Sequence, residues 1–377
     1  MTGQHRIVIL GAGYAGLAAA RRLAGVARDA QITVVDARAT FVERVRLHQQ
    51  AAGQRIPAWD LREMLGSKKI RFVCAEATEI DTVGKQVVLD AVPALDYDIV
   101  VYALGSLADP GRVPGVAEHA YSVATPEDTR RLAFARGPVA VVGAGATGIE
   151  LAAELAESHP DLPVVLLGSE EPGVWLSPRA RAHIRRTLER LGVEIRSGAK
   201  VIEVTAEGVR LADGTLVAAA ATVWTTGFRV PDLAMRSGLA VDAAGRVRTD
   251  ATLRSVSHPE IYAAGDTAVI AGPGDRELRM ACATALPTGK YVADAVVARM
   301  RGVEPQPLRF RYVLQCLSLG RRDGLIQVVR GDDSPRGTVL TGRAAASVKE
   351  LIVRGAARRS DLNRQSRVDD RIASTYG

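Results

Sequence analysis

The chain has 377 residues, 47% of them hydrophobic, and a net charge of +7. That length suits two or three domains, and the apolar share excludes disorder as the default state. Aromatics at 4% argue against stacking-based binding of single-stranded nucleic acid, and three cysteines with no CxxC pair exclude a sequence-adjacent redox dithiol.

In chain order, residues 6–10 form a short apolar run that predicts a buried strand. A glycine turn follows at 11–16, an Ala/Leu-rich helix at 17–23, and a second strand at 31–35. The same unit recurs as strand 138–142, turn 143–148, helix 149–156 and strand 163–167. An internal repeat of a whole supersecondary unit implies two dinucleotide sites. Between the copies lie short strands, among them 86–89 and 98–102. After the second copy, Ala212-Asp213-Gly214 reads as a hairpin turn between 209–211 and 215–217. Residues 281–300 read as a long helix, and short strands with glycine turns begin at 308. A helix is expected at 344–354, then a polar tail from Arg358 that reads as disordered.

The strand reached within a few residues of Met1 leaves no room for a charged-then-apolar leader, and no apolar run approaches the ~18 residues of a spanning helix. The expectation is a cytoplasmic protein, with or without peripheral membrane contact. Arg321, Arg322, Arg354, Arg358 and Arg359 read either as facing anionic lipid or as ordinary surface arginines. No His/Cys cluster has metal-ligand spacing, so no metal is expected.

Gly11-Ala12-Gly13-Tyr14-Ala15-Gly16 follows a strand and opens a helix. Its glycines allow a tight turn and close approach to a pyrophosphate, and the helix N-terminus offers that phosphate free N–H groups. Asp36, 25 residues after Gly11, ends the next strand, where a carboxylate accepts ribose hydroxyls. The second copy, Gly143-Ala144-Gly145-Ala146-Thr147-Gly148, has Gly168 at that spacing. Without the carboxylate a 2′-phosphate is not repelled, and Ser169 can donate to one, whereas Glu170 and Glu171 would oppose it. The pattern leans only slightly to NADPH over NADH. Glu150 either complements the helix dipole or contacts the bound dinucleotide. Asp266, closing the apolar strand at 260–266, either caps the next segment or meets a polyol chain.

Two glycine units, strands ending in Tyr102-Ala103-Leu104-Gly105-Ser106 and Trp224-Thr225-Thr226-Gly227, and a strand ending in Gly265-Asp266 together resemble the glutathione-reductase-like flavoprotein reductases, from about residue 6 to 300. The resemblance implies an α/β fold with two Rossmann-like domains. A discontinuous FAD-binding domain (1–112 and 245–305) would carry an inserted NAD(P)H-binding domain (113–244), followed by a small α+β C-terminal interface or acceptor domain with a polar tail (306–377). It further implies that Gly11, Gly13, Tyr14, Ala15, Gly16, Asp36, Ala37, Arg38, Ala77, Ala103, Leu104, Gly105, Gly265, Asp266 and Ala285 line FAD. Gly143, Gly145, Thr147, Gly148, Glu150, Gly168, Ser169, Thr226 and Gly227 would line NADH or NADPH.

Within that superfamily, residues 46–53, 280–290 and 318–325 look most like type II NADH dehydrogenases and the apoptosis-inducing-factor-like and ferroptosis-suppressor-like quinone reductases. Thr284, Leu286 and Thr288 stand where the former usually carry glutamines, and the C-terminal region is shorter than their membrane anchor. The implied activity is FAD-dependent transfer of hydride from NAD(P)H and of electrons to a quinone-like acceptor, without a redox disulfide. A soluble biosynthetic or ferredoxin-type reductase is the alternative, and a flavin redox sensor or basic binding protein the alternative outside enzymology. A homodimer is compatible with either enzyme. His48 is the candidate proton donor near the acceptor, against a structural histidine. Cys282 is expected beside the flavin, more as a small buried residue than as a redox group.

Overall fold

The computed structural model describes residues 4–27, 29–66, 70–111, 113–132 and 137–360, with side chains up to residue 357. Two parallel five-stranded sheets organise it. The first begins with β1 (His5–Leu10), β2 (Ala30–Asp36), β3 (Ile70–Cys74) and β4 (Ile99–Tyr102). The chain then builds a second sheet from β5 (Ala120–Tyr121), β6 (Val139–Val142), β7 (Val164–Gly168), β8 (Glu194–Ser197) and β9 (Ala221–Trp224). It returns as β10 (Ile261–Ala263), which pairs with β4 and completes the order β10-β4-β1-β2-β3. The second sheet runs β5-β9-β6-β7-β8, so β1 and β6 hold equivalent central places.

β6, like most of β1 and β2, is apolar along its length and buried, as expected of a parallel strand covered on both faces. The covering helices follow from the glycine turns. α1 (Tyr14–Val26) starts at the loop itself, three residues before the alanine-rich stretch that predicts it, because Gly13 is its extended N-cap. α4 (Ala146–Ser158) likewise starts on Gly145. Before it in sequence come α2 (Leu47–Ala51) and α3 (Pro126–Leu132), and after it α5 (Pro178–Arg190), capped by the Ser177 hydroxyl.

α6 (Cys282–Met300) lies along α1, at the place where a Cβ on Gly289 would come within 2.1 Å of the Ala15 carbonyl oxygen. Only a glycine permits that approach, and Leu17 and Leu23 of α1 are wholly buried. Each such leucine stabilises the fold by about 1.5–3 kcal/mol through burial. The C-terminal unit is an antiparallel sheet, β11 (Leu314–Ser318), β12 (Gly324–Val329) and β13 (Pro335–Thr341), followed by α7 (Gly342–Ser360). This helix is longer than the sequence reading at both ends. Arg358 is still within it, and the tail beyond residue 360 lies outside the described residues.

Candidate functional site

At the end of β1, Gly11 has φ +99°, and a Cβ there would sit 2.4 Å from the Ala103 oxygen. A Cβ on Gly16 would sit 1.8 Å from the Gly11 oxygen, whereas one on Gly13 would meet nothing within 4 Å. The loop is therefore tight underneath and open on one side. No side chain caps α1, so its first N–H groups are free to face an anion on that open side. Asp36 closes over the loop: its Oδ2 accepts from the Ala12 N–H at 2.7 Å and its Oδ1 from the Arg38 N–H at 2.9 Å. Burial pushes the Asp36 carboxyl above its usual range, and these donors pull it back.

The Arg38 guanidinium turns away from the loop to Glu127 of α3, with contacts of 3.0 and 2.9 Å. Ala37 offers its carbonyl to the Cys74 thiol, and Ala77 opens a small antiparallel strand. Ala103, Leu104 and Gly105 leave β4, and Ser106 donates to Asp266 Oδ2 at 2.7 Å. Arg44 donates to the Ser106 oxygen at 2.7 Å; burial lowers the pKa of this guanidinium, and the Asp266 charge opposes the fall. Gly265 packs against the methyls of Ala15 and Ala285, and a small cleft lined by Asp266, Arg279, Met280 and Thr284 opens beside it. Tyr14 is buried with its ring edge-on to Phe41, and its hydroxyl has no hydrogen-bond partner among the described residues.

The second loop repeats the construction. A Cβ on Gly143 (φ +115°) would meet Thr225 Oγ1 at 2.6 Å, and one on Gly148 would meet the Gly143 oxygen at 1.8 Å. Gly145 faces open space and α4 has no side-chain cap. The difference lies at Gly168, where a Cβ would strike the Ala144 Cβ at 2.5 Å and the Glu170 oxygen at 2.7 Å. Ser169 and Glu170 are exposed, and Glu171 is paired with Arg185. Arg181 of α5 has a buried Nε without a hydrogen-bond partner among the described residues. Thr226 is half-buried, and Gly227 is exposed beside Asp109.

The two sheets and the C-terminal unit meet at a polar junction. α4 presents Glu150, Glu154 and Glu157 there at helical spacing, on one face. Glu150 accepts from the Ser318 N–H at 2.9 Å and from the Lys349 ammonium of α7. Lys349 is buried; burial, then Arg46, pull its pKa down to about 7 against the opposing Glu350. Arg46 spans the junction, reaching Glu43 at 2.9 Å and Glu350 at 2.7 Å. His48 is 4% exposed, with its Nε2 3.7 Å from Glu154 Oε2. Glu154, fully buried, accepts from Gln54 at 2.5 Å and has Arg321 Nε at 3.5 Å.

Of the residues expected to carry chemistry, His48 and Glu150 thus come together at this junction. Cys282 is the half-buried first residue of α6; burial, then the charge of Asp266, raise its thiol pKa. Burial, then Cys282, push Cys316 up to about 12, and all three cysteines are free. Arg321 turns inward to Glu154, whereas Arg354 stays on the surface and pairs with Glu350 at 2.7 Å. Arg44, Gln54, Glu154 and Lys349 escaped the sequence reading. The one available signal was the 150, 154, 157 spacing of acids on a helix.

Residues 5–302 match the family model described as pyridine nucleotide-disulphide oxidoreductase. An NADH dehydrogenase-like protein of Mycobacterium tuberculosis is 34% identical over 345 residues, 84% of this chain and 86% of that one. The chain belongs to this family. A type II NADH:quinone oxidoreductase of Staphylococcus epidermidis is 28% identical, covering 93% of this chain and 94% of its own. Among solved structures, the sulfide:quinone oxidoreductase of Aquifex aeolicus superposes with a TM-score of 0.80 at 18% identity, over 95% of this chain and 91% of that one. The protein is an oxidoreductase with two Rossmann-like dinucleotide-binding units, as its sequence motifs imply. Among the described residues no group of three His, Cys, Asp or Glu side chains is placed to hold a metal, and no helix is long and apolar enough to cross a membrane.

Proposed function

We propose that this protein is an FAD-dependent NAD(P)H:quinone oxidoreductase. The observation that carries the reading is the pair of open, uncapped glycine loops on separate sheets, one closed by a carboxylate and one not. The names of the relatives support quinone as the acceptor.

The first loop fits FAD. Gly13 and the start of α1 would receive its pyrophosphate and Asp36 its adenosine ribose. At the other end, Asp266, oriented by Ser106 and faced by Arg44, would hold the polyol. The bound flavin supplies two-electron transfer between dinucleotide and acceptor. Gly145 and the start of α4 would hold the nicotinamide dinucleotide, with Thr226 and Gly227 beside it. On this reading residues 1–112 and 245–305 form the FAD domain, 113–244 the NAD(P)H domain and 306–377 the acceptor-side domain. Glu150 and the buried Lys349 sit just past the second loop as an acid–base pair, between which a proton can move. Absence of a carboxylate at Gly168, neutralisation of Glu171 by Arg185 and the Arg181 guanidinium, whose Nε has no hydrogen-bond partner among the described residues, favour NADPH over NADH. The exposed Leu351, Ile352 and Val348 of α7 support peripheral contact of a cytoplasmic protein with a membrane.

The test is the visible spectrum of the purified protein, followed anaerobically with NADH or NADPH and then with a soluble quinone. A yellow protein bleached by a reduced dinucleotide and rapidly recoloured by quinone is expected. Protein that holds no flavin when supplied with FAD overturns the reading, and bleaching without recolouring removes quinone as the acceptor.

A further inference from the structure

The polar junction contains more than the Lys349–Glu150 contact. Six buried side-chain polar atoms lack a hydrogen-bond partner among the described residues, and three of them, His48 Nε2, Glu154 Oε2 and Arg321 Nε, converge on one spot. Buried polar groups are nearly always hydrogen-bonded, so three without a hydrogen bond around one carboxylate need a physical reason, with Arg321 Nε held there only by an ion pair at 3.5 Å. They come from three parts of the chain: His48 from α2, Glu154 from α4, and Arg321 from the turn between β11 and β12. The 3.7 Å between His48 Nε2 and Glu154 Oε2 is longer than a formed hydrogen bond and short enough to become one with a small side-chain shift.

We propose that His48 and Glu154 hold one exchangeable proton between them and pass it along α4 to the Lys349–Glu150 pair. This rests on quinone reduction as the protein's reaction. In that reaction reduced dinucleotide, one proton and quinone give oxidised dinucleotide and quinol. The dinucleotide brings two electrons and one proton as hydride, and the second proton comes from solvent. It has to reach the reacting groups through the protein.

The geometry lines the groups up along one helix face. Glu154 lies one helical turn, about 6 Å, beyond Glu150 on the same face of α4. On the outer side Gln54 bridges Glu154 Oε1, at 2.5 Å, and the Ser158 hydroxyl, at 3.2 Å, near the protein surface. The charged groups around the pair are Glu43 and Arg46 from the segment leading into α2, Glu150 and Glu157 from α4, Arg321 from the β11–β12 turn, and Lys349 and Glu350 from α7. Burial, then Lys349, Arg321 and Arg46, drive the imidazole of His48 far towards its neutral form. Burial drives Glu154 towards its protonated form, against Arg321 and Gln54. Both shifts favour the uncharged forms, so the 3.7 Å gap between His48 Nε2 and Glu154 Oε2 is one that a single shared proton can close. Both residues act through Lys349 and Glu150, as positioning residues for a proton and not as groups that touch the substrate.

The test compares two acceptors in the holoenzyme. Quinone needs a proton to become quinol; ferricyanide takes an electron and no proton. In Glu154→Gln, flavin reduction by NAD(P)H and reoxidation by ferricyanide are expected to stay within about twofold of the unmodified protein. Reoxidation by a soluble quinone should slow roughly ten- to a hundredfold, the scale of a lost acid–base group, and its pH profile should change shape. Equal slowing with both acceptors, or an unchanged quinone rate, overturns the proposal. If Glu154→Gln fails to retain FAD, His48→Asn carries the same comparison. A starting protein that is not reoxidised by quinone refutes the proposed reaction, and this shows before any variant is made.

Discussion

The two glycine loops are the same object built twice and finished differently. Leu10 pairs with Val35 in one sheet and Val142 with Leu167 in the other, so Asp36 and Gly168 are the next residues at equivalent places. In the first loop the Asp36 side chain folds back onto the Ala12 N–H; in the second, the methyl of Ala144 fills that space and forbids any side chain at 168. On the proposed reading, one carboxylate separates a site that would grip a ribose and stay loaded from one whose ligand would come and go. A resident cofactor gains from a charged acceptor with both oxygens pre-positioned; a co-substrate that must leave after each turnover does not.

The largest effects should come from breaking each loop in turn. Gly16→Ala and Gly148→Ala both drive a methyl to within 1.8 Å of a backbone oxygen that cannot yield. Gly16→Ala is expected to abolish FAD retention, giving colourless or insoluble protein. Gly148→Ala should remain yellow and lose bleaching by either dinucleotide. If both variants lose flavin, the two loops do not divide the labour as argued. Next comes Asp36→Ala, which removes a charged acceptor from two backbone donors and from the ribose. Hydrogen bonds to a charged group are worth about 1.5–3 kcal/mol, so FAD affinity, measured by titrating the apoprotein, should fall roughly ten- to a hundredfold.

Much of this division was legible in the sequence, because a glycine spacing and an acid at the end of a strand are local facts. The strand runs, both loops, the hairpin around Asp213 and the long helix ending at Met300 follow from periodicity and turn chemistry alone. The junction was not legible. Lys349 is one of several cations in an amphipathic helix and pairs with a residue 199 positions away; Arg46 reaches 304 positions to Glu350. Nothing in either neighbourhood marks it as buried. The early start of α1 and α4 was missed for a smaller reason, since glycine is a poor helix former but a good N-cap when a phosphate-sized space lies beyond it.

The donor side separates the loops further. Arg181→Ala removes a cation from the region beyond Gly168 and leaves the glycine turn intact. The expected outcome is a roughly tenfold loss of kcat/KM with NADPH, comparable to losing one exposed charge-assisted contact, and little change with NADH. Equal losses with both dinucleotides would assign Arg181 to packing of α5.

The smallest effect is in pH, and the loops differ in whether their ligand feels it. Burial holds the Asp36 carboxyl above its usual range, so as pH falls that group protonates earlier than an exposed aspartate. Protonation removes the acceptor that faces Ala12, Arg38 and the ribose, so FAD affinity should decline by a few-fold as pH drops through that raised value and be fully recovered above it. The second loop has no carboxylate at Gly168 and should show no such loss with NADH. With NADPH a different group titrates: a phosphate monoester loses its second charge below about pH 6, which should weaken NADPH selectively in acid. Measuring FAD, NADH and NADPH affinities across the same pH series therefore gives three separate curves if the loops differ as described. If NADH affinity instead followed the FAD curve, an acid elsewhere, with Glu170 the nearest, would be taking the place that Gly168 leaves empty.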